Sequence, residues 1–416
     1  MKIILYEPFG CGGICHYTYQ LAQSLAISGI DVTVVTQKNY ELNYLNKLFK
    51  VNYMLGCSWT KSFIKGTLNR IKINSNKNDD IVNNHNNTKI INPSTENSYL
   101  LTIRRWIIWL EVIVYFLVKR PNVIHFQWLL YPKEDYYFLI ALKLLRFNIV
   151  FTAHNLLPHD DYLMHEKETF QKLYRLADKV IVHTENNKME MVNQFVLKPQ
   201  KIDIIPHGIY DMFFLKNVLT QKEARKKLDI PEEKNVILFF GSIKRYKGLE
   251  YLIESFREVR GQTNDALLLI VGKVGGDEEE TIYYTNLLTQ LQEFHDIKCV
   301  NKYIPFDEVA LYFAASNLVV LPYLKTYQSG ILLLSYAAGR PVIVTETGGL
   351  SETVENGKSG FIVPSKDAKS LAQALVRMIE NPAQTREMGR YGNILADTKY
   401  SWKNIAAKTI EVYQVL

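Results

Sequence analysis

The sequence is sparing with the residues that usually announce a function. It has four cysteines, Cys11, Cys15, Cys57 and Cys299. Cys11 and Cys15 lack histidine or cysteine partners at zinc-site spacing, so neither a zinc module nor a disulfide framework is indicated, and a reducing cytoplasm is the simpler reading. No Asp-x-Asp occurs, which leaves a metal site of that kind unsupported. Asp79-Asp80 falls in an insertion and Asp160-Asp161 in a loop. No complete Gly-x-Gly-x-x-Gly follows the first strand, so a dehydrogenase is a distant reading. No apolar run reaches the roughly 20 residues needed to cross a bilayer. The opening MKIILYEP is too short for a signal peptide core, no small-residue cleavage site follows, and it reads as a buried strand. The net charge of +7 is mild for 416 residues. It does not demand nucleic acid and is compatible with an anionic ligand or membrane surface.

What is present is an ordinary globular composition, 47% hydrophobic and 22% charged, in two successive α/β series. The first opens with a strand at Lys2–Tyr6, a loop carrying Gly10, Gly12 and Gly13, a helix at Tyr17–Ser28 and a strand at Val32–Thr36. It continues through strands at Asn122–Gln127, Asn148–Ala153, Lys179–His183 and Lys201–Ile205, and ends at the turn Pro206-His207-Gly208. The second opens at Asn235–Phe240 and alternates strand and helix to Leu395. The expected architecture is α/β, two Rossmann-like lobes facing a cleft. The expected domains are 1–206, 207–398 and a terminal helix at 399–416.

The stretch Tyr327–Gly349 organises the second series. Ser329-Gly330 opens a short buried helix over Ile331–Ala338, Gly339 stops it, and Pro341–Val344 is a strand leading to a Thr345–Gly349 loop. Free N–H groups at a glycine-bearing helix start form an anion site, so a phosphate-bearing ligand is expected there. An ordinary crossover is the plain alternative.

Two segments stand apart. Ile73–Ser98 is dense in Asn with no aromatic residue, and reads as a mobile insertion. Arg104–Arg120, RRWIIWLEVIVYFLVKR, reads either as a core-packed helix or as one resting on a membrane interface, with Trp106 and Trp109 at headgroup level.

In this order, Gly12-Gly13-Ile14, Phe151-Thr-Ala-His154-Asn, Ile205-Pro-His-Gly208, Gly241-Ser-Ile-Lys-Arg-Tyr-Lys247-Gly248 and Ser329-Gly330 through Gly339-Arg-Pro341 with Gly348-Gly349 resemble the family 4 retaining glycosyltransferases of GT-B fold. The likeness covers the chain apart from the Asn-rich insertion. It implies sugar transfer from a nucleotide diphosphate sugar with retention of configuration, and a final helix that returns to the first lobe. One departure stands out. Many members carry a Glu-x7-Glu pair whose second glutamate meets the donor ribose. Here those positions hold Thr326 and Leu334, as in a polysaccharide-type branch without the pair, and ribose recognition is unassigned.

Breaking a glycosyl–phosphate bond places negative charge on the departing diphosphate, which fixed cations and N–H dipoles can stabilise. Lys247 and Lys244 are the candidates for that task, with the N–H groups of Gly330 and Ile331 behind Ser329 adding their dipoles. Gly12 and Gly13 let backbone approach the donor from the other lobe. Arg245 reads as a solvated charge. In the family's front-face displacement no carboxylate nucleophile is needed, and His154 becomes a polar contact to donor sugar or acceptor. Lys247 and His154 are the catalytic candidates. His125 reads as buried structure and His207 as part of a hinge turn, while His16, His159 and Glu346 stay open. No metal and no cofactor is expected. The expected partners are a nucleotide-sugar donor and a glycan or lipid-linked acceptor, with a possible peripheral membrane contact and no nucleic acid, and the expected place is the cytoplasm, at the inner face of the membrane. The competing reading is a non-catalytic nucleotide-sugar-binding or partner subunit with the same fold.

Overall fold

The computed structural model describes residues 1–55, 98–157, 166–214 and 219–416, with the side chains of 55 and 98–104 outside that description. The expected mobile insertion lies outside the described residues up to 97, as do Cys57, His159, Asp160 and Asp161; Ser98 itself begins a helix.

Contacts divide the chain into two compact units, Met1–Phe151 with Leu176–Asp178, and Thr152–Arg175 with Lys179–Leu416. His154 and the Pro206–Gly208 turn therefore group with the second unit. The strands are β1 Lys2–Tyr6, β2 Asp31–Gln37, β3 Lys50–Leu55, β4 Val123–Phe126, β5 Ile149–Thr152, β6 Lys179–Val182, β7 Ile202–Ile204, β8 Asn235–Phe240, β9 Ala266–Val271, β10 Ile297–Val300, β11 Leu318–Leu321, β12 Val342–Thr345 and β13 Gly360–Val363.

In the first unit the strands lie in the order β3-β2-β1-β4-β5, all parallel. In the second unit β6 and β7 pair in parallel, and a six-stranded parallel sheet runs β10-β9-β8-β11-β12-β13. Strands buried on both faces need near-continuous apolar runs, and ALLLIV in β9 and VIVT in β12 are buried at every position. The core of that sheet gathers Phe239, Leu268 and Ile343 with Phe256, Tyr284 and Leu375 from the helices. Two parallel-sheet Rossmann-like domains result.

Helix boundaries differ from the sequence reading where capping or glycine decides them. The first helix is Gly12–Ile27, five residues earlier than expected, because glycine is tolerated at a helix start. The helix after β9 is Glu278–Leu291, and its start is set by the Asp277 carboxylate, which accepts the Glu280 N–H. The organising helix is Gly330–Ala337.

The helix Ser98–Lys119 is packed along one side, as the core reading expected, and exposed along the other. Trp109, Val112 and Phe116 are buried, and Trp109 stacks on Phe138 with ring centroids 3.7 Å apart. Trp106, Ile107, Leu110, Val114, Leu117 and Val118 are exposed. Trp109, expected at headgroup level in the second reading, is thus a core residue, and Trp106 is exposed.

Candidate functional site

The six-stranded sheet reverses its winding between β8 and β11, and in such sheets ligands bind beyond the carboxyl ends of the strands at that switch. The loops leaving those two strands hold the basic residues and the Ser-Gly helix start. They are tied together: the Leu324 N–H donates to the Tyr246 carbonyl at 2.7 Å. Gly248, at φ 63°, lies so close to the second loop that a Cβ there would stand 2.1 Å from the Pro322 carbonyl oxygen.

Lys247 closes the single 3₁₀ turn Arg245–Lys247 and is buried. Its Nζ lies 2.8 Å from the point a Cβ on Gly241 would occupy, and the Ile331 side chain lies 3.7 Å from the same point. The Tyr323 ring centroid is 5.4 Å from the ammonium. Among the described residues no carboxylate pairs with Lys247. Burial, then the nearby charge of Lys244, push its pKa down to about 8. A cation is held out of water, with no counter-ion among the described residues, beside the first turn of the Gly330–Ala337 helix.

That helix start is open. Ser329 stands at the N-cap without a side-chain cap bond, and its hydroxyl meets the Tyr323 hydroxyl at 3.4 Å. The first N–H groups of a helix have no intrahelical acceptor. Gly330 lies close against Tyr210: a Cβ there would come within 2.5 Å of the ring. Lys244 runs its stem past Gly275, and the exposed Arg245 lies 3.7 and 3.8 Å from Glu279 and Glu280, as a surface charge would.

His154, His183 and His207 each follow one of the strands β5, β6 and β7, and all three are buried. His183 Nδ1 is 2.9 Å from the Ile205 carbonyl, and its Nε2 is 3.1 Å from His154 Nδ1. His207 Nδ1 is 2.6 Å from the Gly208 carbonyl, and the Tyr210 hydroxyl is 3.4 Å from its Nε2. Burial holds His183 at about 4 and His207 at about 3, so both are neutral. The sequence reading left His183 without a role and saw His207 as a turn residue. The signal it passed over is three successive strands that each exit through a histidine.

In the first unit the Gly12 N–H donates to Glu41 Oε2 at 2.9 Å, and His16 Nε2 lies 3.2 Å from the same oxygen. Gly13 follows in the first turn. Glu7 is buried, accepts the Phe9 and Gly10 N–H groups and the Thr36 hydroxyl, and burial lifts its carboxyl to about 7. These two glutamates accept hydrogen bonds from the glycine loop and were not foreseen. His125 lies buried within β4, its pKa lowered by burial to about 3, the structural role expected of it. Thr326 and Leu334 are both buried, and Glu346 is exposed. Among the described residues no group of three His, Cys, Asp or Glu side chains is arranged to hold a metal ion.

A family model described as Glycosyltransferase Family 4 matches residues 11–211, and one described as Glycosyl transferases group 1 matches residues 220–394. A D-inositol 3-phosphate glycosyltransferase of Nocardioides sp. is 27% identical over 254 residues, 59% of this chain and 55% of that protein. The chain thus spans a little over half the length of the curated relatives it matches. Among solved structures, HepE of Anabaena in complex with UDP superposes with a TM-score of 0.71 at 16% identity, covering 100% of both chains. Sucrose-phosphate synthase of Thermosynechococcus elongatus gives 0.69 at 19% identity, over 100% of this chain and 98% of its own. Those identities speak for the fold alone. The two family models follow one another along most of the sequence, one on each α/β series, and the chain belongs to the family 4 glycosyltransferases, with the GT-B fold.

Proposed function

We propose that the protein is a retaining glycosyltransferase that moves a sugar from a nucleotide diphosphate sugar to a glycan or lipid-linked acceptor, in cell-surface polysaccharide synthesis. One observation carries this reading: the buried Lys247 ammonium, without a carboxylate partner among the described residues, beside the uncapped first turn of Gly330–Ala337. A diphosphate leaving group supplies the missing negative charge. The ammonium and the N–H groups of Gly330 and Ile331 stabilise that charge where it grows, and the low dielectric strengthens both contacts. Lys244 adds a second cation at the same loop. Solved relatives of this fold are described in complex with UDP and with UDP-glucose, which supports a nucleotide-sugar donor.

The bond from the sugar's anomeric carbon to the phosphate oxygen breaks. A bond to the acceptor oxygen forms on the same face, and the acceptor's hydroxyl proton passes to the departing phosphate oxygen. His154 contacts a sugar or acceptor hydroxyl. With lysines and helix dipoles neutralising the diphosphate, the reaction runs without a divalent metal and without a cofactor. The enzyme works in the cytoplasm, at the inner face of the membrane, where the helix Ser98–Lys119 meets lipid.

The test is a panel of radiolabelled UDP-, GDP- and ADP-sugars, with and without exhaustive chelation. Transfer or slow donor hydrolysis that survives chelation is expected. Activity restored only by added magnesium or manganese would overturn metal independence. Donor binding with no turnover on any acceptor or water would favour the non-catalytic subunit.

A further inference from the structure

The second unit holds a helix start that is filled rather than open. The helix Glu185–Phe195 follows β6, and His183 and Thr184 lead into it. The first N–H groups of a helix have no intrahelical acceptor, yet here the first three each have one. The Thr184 hydroxyl accepts the Asn187 N–H at 3.1 Å. The other two go to one residue, 167 and 166 positions downstream: Glu352 Oε2 accepts the Glu185 N–H and Oε1 the Asn186 N–H, both at 2.8 Å. A carboxylate placed in this way meets two donors and the positive end of the helix dipole at once.

Glu352 lies in the short helix Leu350–Thr353, which is hydrogen-bonded to the segment ahead of the Gly330–Ala337 helix. The Gly349 N–H donates to the Tyr327 carbonyl at 3.0 Å. The Thr353 hydroxyl donates to the Gly349 carbonyl at 2.7 Å and accepts from Gln328 Nε2 at 3.5 Å. Gln328 Oε1 in turn accepts the Ser329 N–H at 2.9 Å. Gly349 meets the other segment directly, since a Cβ there would stand 2.6 Å from Thr184 Cγ2. On one side of the Glu352 contact therefore stand Ser329 and Gly330. On the other stands His183, whose Nε2 is 3.1 Å from His154 Nδ1.

We infer that Glu352 is a positioning residue, whose carboxylate latches the histidine-bearing strand ends onto the Ser329–Gly330 helix start and so serves sugar transfer rather than nucleotide binding. Lys247, Gly330 and Ile331 all follow strands of the six-stranded sheet and keep their mutual geometry without Glu352. His154 and His183 follow β5 and β6, and contacts such as this one set their distance from that helix start. Hydrogen bonds to two successive N–H groups are directional, so they fix an angle as well as a distance. The close approach of Gly330 to Tyr210 fixes a distance alone. The part in transfer rests on the glycosyltransferase reading; the latch does not.

The experiment replaces Glu352, an exposed residue, in the full chain. Hydrogen exchange, read by mass spectrometry on peptides spanning residues 183–191, should be about tenfold faster at the Glu185 and Asn186 amides of Glu352→Ala, as the loss of a charge-assisted bond implies. With the donor that the panel identifies, kcat should fall about tenfold through misplacement of the sugar contact. Nucleoside diphosphate affinity, by calorimetry, should stay within about twofold, which separates transition-state from ground-state effects. Glu352→Gln keeps one acceptor oxygen and should lie between the two proteins in exchange and in kcat alike. Unchanged exchange in Glu352→Ala overturns the latch. Faster exchange with unchanged kcat makes the contact structural only and overturns the role in transfer, as does an affinity that falls in step with kcat. If the unaltered protein turns over no donor, the glycosyltransferase reading falls, and exchange still decides whether Glu352 holds the helix start.

Discussion

The Nζ of Lys247 occupies space that only the absence of a side chain on Gly241 leaves open, 2.8 Å from where a Cβ would sit. Gly241→Ala should therefore displace the ammonium while leaving its charge in the protein. Alanine at φ 104° is also strained, so the fold pays a separate penalty of about 1–2 kcal/mol. Gly339→Ala separates the two effects: its φ is 64° and nothing lies within 4 Å of its missing Cβ. Nucleoside diphosphate affinity, measured by calorimetry, should drop about tenfold in Gly241→Ala, roughly 1.4 kcal/mol. It should stay unchanged in Gly339→Ala. Equal affinities in the two variants would detach Lys247 from the diphosphate.

A second prediction follows from the pKa of about 8 at Lys247, set by burial and by Lys244. Folding lowers this pKa from 10.5, so between about 8 and 10.5 the unfolded chain binds more protons than the folded one. Stability of the ligand-free protein should rise with pH across that window, by an amount on the order of 3 kcal/mol for this group. Nucleotide affinity should move the other way, since the diphosphate needs the protonated form. Lys247→Met should remove both trends. If melting temperature and affinity vary with pH alike in that variant and in the unaltered protein, Lys247 is not the titrating group.

The sequence made the parallel sheets and the basic loop readable, because ALLLIV or NVILFF can be little else than a doubly buried strand and SIKRYKG follows one directly. It concealed what depends on approach between distant positions. Gly241 looks like any strand exit until Lys247 is seen beneath it. Glu41 stands 29 residues from the Gly12 N–H it accepts, and no local spacing announces the pair. His183 follows a strand as many polar residues do, and its partner is the Ile205 carbonyl just past the neighbouring strand. Helix starts were shifted where Asp277 or Gly12 set them, because a cap is a hydrogen bond rather than a periodicity.

Trp402 supplies a stability prediction. Its Nε1–H donates to the Ile209 carbonyl at 2.6 Å, and its ring covers Gly208, where a Cβ would come within 2.5 Å. Ile209 N–H in turn donates to Tyr400. Thus the segments Pro206–Ile209 and Tyr400–Trp402 are bound together within the second unit. Trp402→Phe should cost about 1 kcal/mol for the hydrogen bond, and Trp402→Ala about 3–5 kcal/mol with the lost ring. Urea unfolding measures both. A Phe variant as unstable as the Ala variant would make the hydrogen bond, not the ring, the main contribution.

The exposed stripe of Ser98–Lys119 yields the last prediction. Trp106, Leu110, Val114 and Leu117 or Val118 recur every three to four residues along one side, with Leu110 62% and Val118 73% exposed. The opposite side is already packed through Trp109 and Phe116, so the helix is apolar nearly all round yet leaves one face in water. No helix among the described residues is long and apolar enough to cross a membrane. Exposed Lys119 and Arg120 end this helix, and exposed Leu144, Leu145 and Arg146 end the helix Pro132–Leu144 that carries Phe138 against Trp109. Apolar side chains bordered by cations suit an anionic lipid surface, with the helix lying in the interface. The protein should sediment with vesicles containing phosphatidylglycerol, and less so as salt rises, because each surface cation contributes about 1 kcal/mol that salt screens. Leu110→Glu with Val114→Glu should release it without changing its melting temperature by more than a few degrees, since both residues are already solvated. Equal sedimentation of this double variant and the unaltered protein would show that lipid is not what the stripe meets.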